Sequence, residues 1–329
     1  MTEDALIAQI AATLRDVAPG NVVLGIGDDA AAWQPSRGNR SVVTTDALVE
    51  GVHFARELMS AQDVGHRALA ANLSDLAAMG ARPVLATIAL GFPRATDPAW
   101  IVAMYEGIAA LARRARCPIA GGDLTRAPVV TIAITAIGEV RASNLKTRGG
   151  ALPGDVVAVT GPLGASRAGL AVARDRPELA GEPGAAAALA AFRRPEPRLR
   201  EGKWLGASRH VRAMMDASDG LSTDLARLCA ASGAGAVVED VPVAPAALAV
   251  AELTGADPES WALGGGEDFE LLVAIAKRAF PHLAVRFRAH TGRELLRVGT
   301  IAAEPGVRRR DGSPLALSGW DHLRGSAME

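Results

Sequence analysis

Seven aspartates stand in short glycine-rich or strand-end contexts. They are Asp28 and Asp29 in GIGDD, Asp46 in TTD, Asp75 in NLSD, Asp123 in GGD, and Asp216 and Asp219 in DASDG. Gathered in one place they could not all stay ionised, because a buried charge without a partner costs on the order of 3–5 kcal/mol. Either they are scattered over the surface or hard cations lie among them. Oxygen donors with little histidine and no cysteine nearby favour Mg²⁺ or Ca²⁺ over zinc. Mg²⁺ commonly binds a few carboxylates together with substrate phosphates, so the pattern points to nucleotide phosphate chemistry.

The usual phosphate cradles are missing. The three lysines, Lys146, Lys203 and Lys277, follow no G-x-x-x-x-G-K-[ST] loop, and there is no H-R-D or D-F-G element. Gly25 to Ala30 spell a dinucleotide fingerprint, with Asp46 about where a ribose-binding acid would stand. That fingerprint needs a helix next, and AAWQPSRGNR is turn chemistry leading to another strand. Two adjacent aspartates would also repel a pyrophosphate unless a metal intervened.

The 329 residues are long for one core and favour two domains. A net charge of −1 offers nothing to nucleic acid or an anionic membrane. No apolar run approaches the ~20 residues that span a bilayer. MTEDALIAQI carries acids where a signal peptide carries positive charge. Cys117 and Cys229 have no metal or redox spacing and read as free thiols. The expectation is a soluble cytoplasmic protein.

Strands and helices must then place the acids. Leu6, Ile7, Ile10, Leu14 and Val17 share a helical face with Thr2 as cap. NVVLGIGDD and SVVTTDALV read as strands, a helix is expected from about 60 to 79, and Asp97-Pro98 opens another. Thr44 and Asp46 share one strand face, with the Thr45 carbonyl or hydroxyl still in reach. Asp75 falls one helical turn after Asn72 in an otherwise apolar helix, where an unpaired carboxylate is rare. GGD and DASDG end strands, and the second runs into a helix whose first N–H groups suit phosphate, with Ser218 as a further donor. An Asp219 N-cap is the competing reading. GGGED, Gly264 to Asp268, is a third acidic glycine turn.

RASNLKTRGGALPGD, residues 141–155, is polar and rich in Gly and Pro, and reads as a linker. It divides an N-terminal domain, 1–140, from a C-terminal one, 156–329. Some neighbouring strands lack a helix between them, which indicates an α+β fold with mixed sheets.

Together and in this order, GIGDDAA, TTDALVEGVHF, ALAANLSDLAAMGARP, GGDLTRAP, KTRGGALPGD, VTGPLGAS, DASDGLSTDLARL, GGGEDFELL and GWDHL resemble the thiamine-monophosphate kinase family. Its superfamily includes aminoimidazole ribonucleotide synthetase, selenophosphate synthetase and a hydrogenase-maturation protein. The resemblance implies two α/β domains, N-terminal sheets pairing in a homodimer, and ATP near the glycine-rich motifs. It implies Mg²⁺ ligands at Asp28, Asp29, Thr44, Thr45, Asp46, Asp75, Asp123, Asp216 and Asp219. It implies ATP contacts at Tyr105, Gly122, Asp123, Arg148 and Ser218. It assigns thiamine monophosphate to His53, Glu267 and Trp320.

The acceptor would be a phosphate oxygen whose second pKa of about 6 leaves it largely dianionic near neutrality, so no general base is required. Several Mg²⁺ ions would screen the repulsion between that dianion and ATP. An alternative within the superfamily is ATP-dependent activation of an amide or carbonyl oxygen. Selenium delivery and hydrogenase maturation fit poorly, since no cysteine lies near the N-terminus and the chain ends GSAME. A nucleotide-binding protein without turnover is the alternative outside enzymes.

Overall fold

The computed structural model describes residues 2–17, 19–27 and 30–319. The chain forms two compact units. One takes residues up to Leu76 and Ala81–Ala142; the other takes Ala77–Gly80 and, among the described residues, everything from Ser143.

The first unit runs α1 (Glu3–Leu14), β1 (Val22–Leu24), β2 (Ala32–Trp33), β3 (Asn39–Val49), α2 (Ala61–Ala78), β4 (Arg82–Phe92), α3 (Pro98–Ala115), β5 (Ile119–Arg126) and β6 (Thr131–Arg141). Two residues of α2, Ala77 and Ala78, are counted with the second unit. Thr2 caps α1 as expected, accepting the Ala5 N–H at 3.3 Å. Asp97 caps α3 through the Ala99 N–H at 2.9 Å, with Pro98 supplying the first-turn geometry. The main sheet has the order β3-β6-β4-β5, antiparallel except for the β4–β5 pair. Along β6 the buried residues Ile132, Ile134 and Ala136 alternate with half-buried ones, so one face of the sheet forms the core. Helices α2 and α3 cross at two glycines. A Cβ added to Gly65 would lie 1.9 Å from the Met104 carbonyl oxygen, and one on Gly107 would lie 1.9 Å from that of Gln62.

The second unit runs β7 (Val156–Val159), α4 (Ala165–Asp175), α5 (Pro183–Arg193), α6 (Leu199–Gly206), β8 (Val211–Asp216), α7 (Leu221–Ser232), β9 (Gly235–Val238), α8 (Pro245–Thr254), α9 (Pro258–Gly264), β10 (Leu271–Ile275), α10 (Phe280–Thr291), β11 (Leu296–Ala302) and β12 (Gly306–Arg309). Its six strands have the order β12-β9-β11-β7-β10-β8, antiparallel except for β12 with β9. β7 and β10 are buried along their whole length, which explains their continuous apolar runs.

Residues 143–155 pack within the second unit. The Lys146 ammonium, buried and so pulled below its ordinary pKa, donates to the Ser208 carbonyl at 2.9 Å. The Thr147 carbonyl accepts the Met214 N–H at 2.9 Å, and Ala151 is buried in the second unit's core. The segment follows the unit boundary and is held by backbone pairing that its polar, glycine-rich composition does not reveal. Both cysteines are free and buried, and burial pushes Cys117 up to about 12 and Cys229 up to about 11.

Candidate active site

In the first unit, strand register sorts the predicted residues onto two faces. Asp46 aligns with Ile134, Ile134 with Ile88, and Ile88 with Gly122. These share the helix-covered face of the sheet, and Thr44, two residues from Asp46, lies on it too. Asp75 reaches that face from α2, where its carboxylate accepts the Thr44 hydroxyl. Asp46, Asp75 and Thr44 are all half-buried. Thr45 and Asp123 fall on the other face. The Thr45 hydroxyl donates to the Ile134 carbonyl at 3.1 Å and accepts from Thr135 at 3.2 Å. Asp123 aligns with Ala89 and is exposed. Gly122 has a steric reason to be glycine, since a Cβ there would lie 2.1 Å from the Ile88 carbonyl oxygen.

His53 sits in the loop after β3. The Val49 N–H donates to its Nδ1 at 3.1 Å, so the neutral ring carries its proton on Nε2 and is a hydrogen-bond donor there. The same loop is braced by Arg56, which pairs with Glu50 at 2.6 Å and lies 4.6 Å over the Trp100 ring. Tyr105 is 4% exposed on the inner side of α3, with its phenol pushed up by burial, and serves as core packing in this unit. Asp28 and Asp29 lie outside the described residues.

In the second unit three segments meet. DASDG follows β8, with Asp216 buried at the strand end. The GGGED turn continues the β8–β10 pairing beyond the regular strands. The Glu267 N–H donates to the Ser218 carbonyl at 2.7 Å and the Phe269 N–H to that of Ala217 at 3.0 Å. The strand begins only at Leu271, because Glu267 and Phe269 hold φ of +58° and +50°. The third segment is the approach to the C-terminal motif. Ser318 N–H donates to the Ser222 hydroxyl and Gly319 N–H to the Thr223 hydroxyl, each at 3.1 Å. A Cβ on Gly319 would lie 2.4 Å from the Asp219 carbonyl oxygen, so the residue preceding Trp320 is seated on DASDG. Trp320 itself lies outside the described residues. Arg148 is exposed, and its carbonyl accepts the Ser232 hydroxyl at 3.3 Å.

Asp219 does not cap α7. Gly220 occupies that position, and the carboxylate of Asp224 reaches back to the N–H groups of Asp219 and Gly220 at 3.0 and 3.1 Å. Asp219 instead pairs with Arg227, which also meets Asp224 at 3.1 Å. Burial, reinforced by the neighbouring Asp219 charge, pushes Asp224 up to about 6. Asp224 and Arg227 escape a motif reading, although a second acid a turn into the helix after DASDG is the signal that would have found them.

Two further carboxylates belong to the structure of the site. Asp268 caps α4 across the chain, accepting the N–H groups of Gly164 at 2.7 Å and Ser166 at 3.2 Å. Burial pushes it up to about 7, against the opposing pull of these bonds. Because the folded value exceeds the unfolded one, the unfolded chain ionises first as pH rises. The contribution of Asp268 to stability should therefore fall between about pH 4 and 7 and level off above. Asp268→Asn should remove that part of the slope in urea unfolding followed against pH. Glu270 is buried, accepting Arg198 at 2.8 and 3.0 Å, Arg293 at 2.6 Å and the Thr160 hydroxyl at 2.6 Å.

Thr44, Asp46 and Asp75 offer oxygen donors only, the chemistry suited to Mg²⁺. Among the described residues, no three His, Cys, Asp or Glu side chains converge to hold a metal by themselves.

Comparison with known proteins identifies the family. Family models for AIR synthase related proteins match the N-terminal domain over residues 27–140 and the C-terminal domain over 153–311. The thiamine-monophosphate kinase of Synechococcus elongatus is 38% identical over 292 residues, 86% of each chain. The chain belongs to the thiamine-monophosphate kinase family. Among solved structures, the thiamine-monophosphate kinase of Stenotrophomonas maltophilia superposes with a TM-score of 0.84 at 37% identity, covering 96% of this chain and 98% of that one. A structure described as AaThiL complexed with AMPPCP and TMP superposes at 0.77 with 29% identity, over 97% and 96% of the two chains. The two mixed-sheet units are thus the fold of thiamine-monophosphate kinases.

Proposed function

We propose that this chain phosphorylates thiamine monophosphate to thiamine diphosphate, passing the γ-phosphate of ATP directly to the substrate phosphate. The observation that carries this is the relative with AMPPCP and TMP, a methylene-bridged ATP analogue and the acceptor together on the same fold. The residue inventory supports it. The acceptor phosphate is already largely dianionic near neutral pH, so in-line attack needs no general base. His53, with its proton on Nε2, suits donation to a phosphate or other acceptor of the substrate. Gly122, Arg148 and Ser218 are the candidates for ATP, and Glu267 and Trp320 for the thiamine moiety.

Mg²⁺ held by Asp28, Asp29, Thr44, Thr45, Asp46, Asp75, Asp123, Asp216 and Asp219, directly or through water, would screen the charge between the two phosphates. The oxygen-only donors around Asp46 and Asp75 fit this ion. Asp123 and Thr45, on the other sheet face, fit it less directly.

A homodimer is the assembly we favour. The outward sheet face carries Val43, 63% exposed, with Thr45, Ala47, Ala133 and Thr135, small and apolar enough for a second sheet to cover. Sedimentation of the ligand-free protein tests it. Among the described residues no helix is long and apolar enough to cross a membrane. Together with the soluble substrates this supports a cytoplasmic enzyme.

The decisive assay is incubation with ATP, Mg²⁺ and thiamine monophosphate, followed by measurement of thiamine diphosphate. ADP formation without thiamine diphosphate would overturn the reading. Trp320→Ala should raise the KM for thiamine monophosphate by roughly 2- to 30-fold, the loss of one cation–π contact, with little change for ATP. A selective loss of ATP affinity would remove Trp320 from the substrate site.

A further inference from the structure

The turn that carries Glu267 is bent against the preference of its own residues. Gly266, Glu267 and Phe269 hold φ of +68°, +58° and +50°. A non-glycine residue in that region is strained and persists only where its surroundings over-determine it. Here four anchors do so. Two are backbone bonds on the DASDG side, from Glu267 to Ser218 and from Phe269 to Ala217. The other two are the carboxylates of Asp268 and Glu270, both turned toward the loop formed by residues 160–166.

The two carboxylates differ in what they fix. Glu270 binds two guanidinium groups and a hydroxyl one residue ahead of β10, so it secures the strand entrance. Asp268 lies inside the strained stretch, between its two non-glycine residues of positive φ. It is joined to the backbone of a loop more than a hundred residues away in sequence. Helix α4 has no capping side chain of its own, since its first position is Gly164 at φ +90°. One carboxylate thus closes the helix and pins the turn. With its oxygens engaged by backbone N–H groups, Asp268 is a poor candidate for direct contact with substrate.

We propose that Asp268 is a positioning residue for substrate binding. Tying the strained turn to the first turn of α4, it holds the backbone of Glu267 against Ser218 and so fixes where the Glu267 carboxylate meets thiamine monophosphate. The proposal rests on the assignment of Glu267 to that substrate.

The test is a double-mutant cycle with Asp268→Asn, Glu267→Gln and the pair, read by the KM for each substrate and by hydrogen exchange of the intact protein. Asp268→Asn keeps the size of the side chain but replaces one acceptor oxygen with an N–H₂ group. It should raise the thiamine-monophosphate KM about tenfold while ATP KM and kcat stay within about threefold. Glu267→Gln should raise the same KM at least as much, and the double variant should be no worse than Glu267→Gln, because one residue acts through the other. Amides of residues 264–269 should exchange faster in Asp268→Asn together with those of 164–166. A lowered melting temperature with unchanged KM, or effects that multiply in the double variant, would overturn the proposal. Should Glu267→Gln leave the KM unaltered, the substrate assignment fails by itself. Exchange then decides the tether: faster exchange of 264–269 in Asp268→Asn supports it, and unchanged exchange refutes it.

Discussion

Asp46→Asn and Asp219→Asn are each expected to lower turnover by about two orders of magnitude or more, comparable to losing a principal electrostatic contact to the transferring group. Asparagine keeps the shape of the side chain and one carbonyl oxygen but removes the charge a hard cation requires. The fold should survive. Asp46 is half-buried on a strand whose ladder is made by backbone, so the amide leaves the strand pairing in place. Asp219 gives up its pair with Arg227, whose side chain is 42% exposed, and a pair of that exposure contributes about 0–1 kcal/mol. Turnover measured against Mg²⁺ concentration, alongside melting temperature, checks both variants. Near-normal rates at limiting Mg²⁺ would show that these acids do not serve the metal.

The second large effect lies away from the chemistry. Gly65→Ala and Gly107→Ala should each destabilise the protein by about 3 kcal/mol or more, enough to leave much of either variant unfolded. The added methyl carbon would stand 1.9 Å from a carbonyl oxygen of the opposite helix, and backbone cannot swing aside as a side chain can. The helices would have to separate, and α2 carries Asp75, so residual folded protein should also be less active. Urea unfolding with an unchanged slope and a lowered midpoint is the expected record. A midpoint equal to that of the parent would mean the helices do not meet as closely as described.

Local chemistry carried much of the fold. Thr2 and Asp97-Pro98 start helices where the sequence places them, because a cap is decided within a few residues. The period of two along SVVTTDALV puts Thr44 and Asp46 on one face. What stayed hidden depends on partners distant in sequence. Asp268 finds its N–H groups at Gly164 and Ser166, and Glu270 finds Arg198 and Thr160. In GGGEDFE the three acids look equivalent, yet two of them are bound to distant backbone or arginines. The packing of residues 143–155 was hidden for the same reason, since it comes from Ser208, Met214 and Ser232 rather than from composition. The opposite placement of Asp46 and Asp123 could not be read from either motif alone, because it is set by register through two intervening strands.

The two enclosed thiols make the chain a convenient host for spectroscopic labels. With Cys117 and Cys229 buried and held as neutral thiols well above neutral pH, neither should react with maleimide while the protein stays folded. A single cysteine introduced at an exposed position such as Val285 would then take a fluorophore or spin label alone, without first stripping the native sulfur from the sequence.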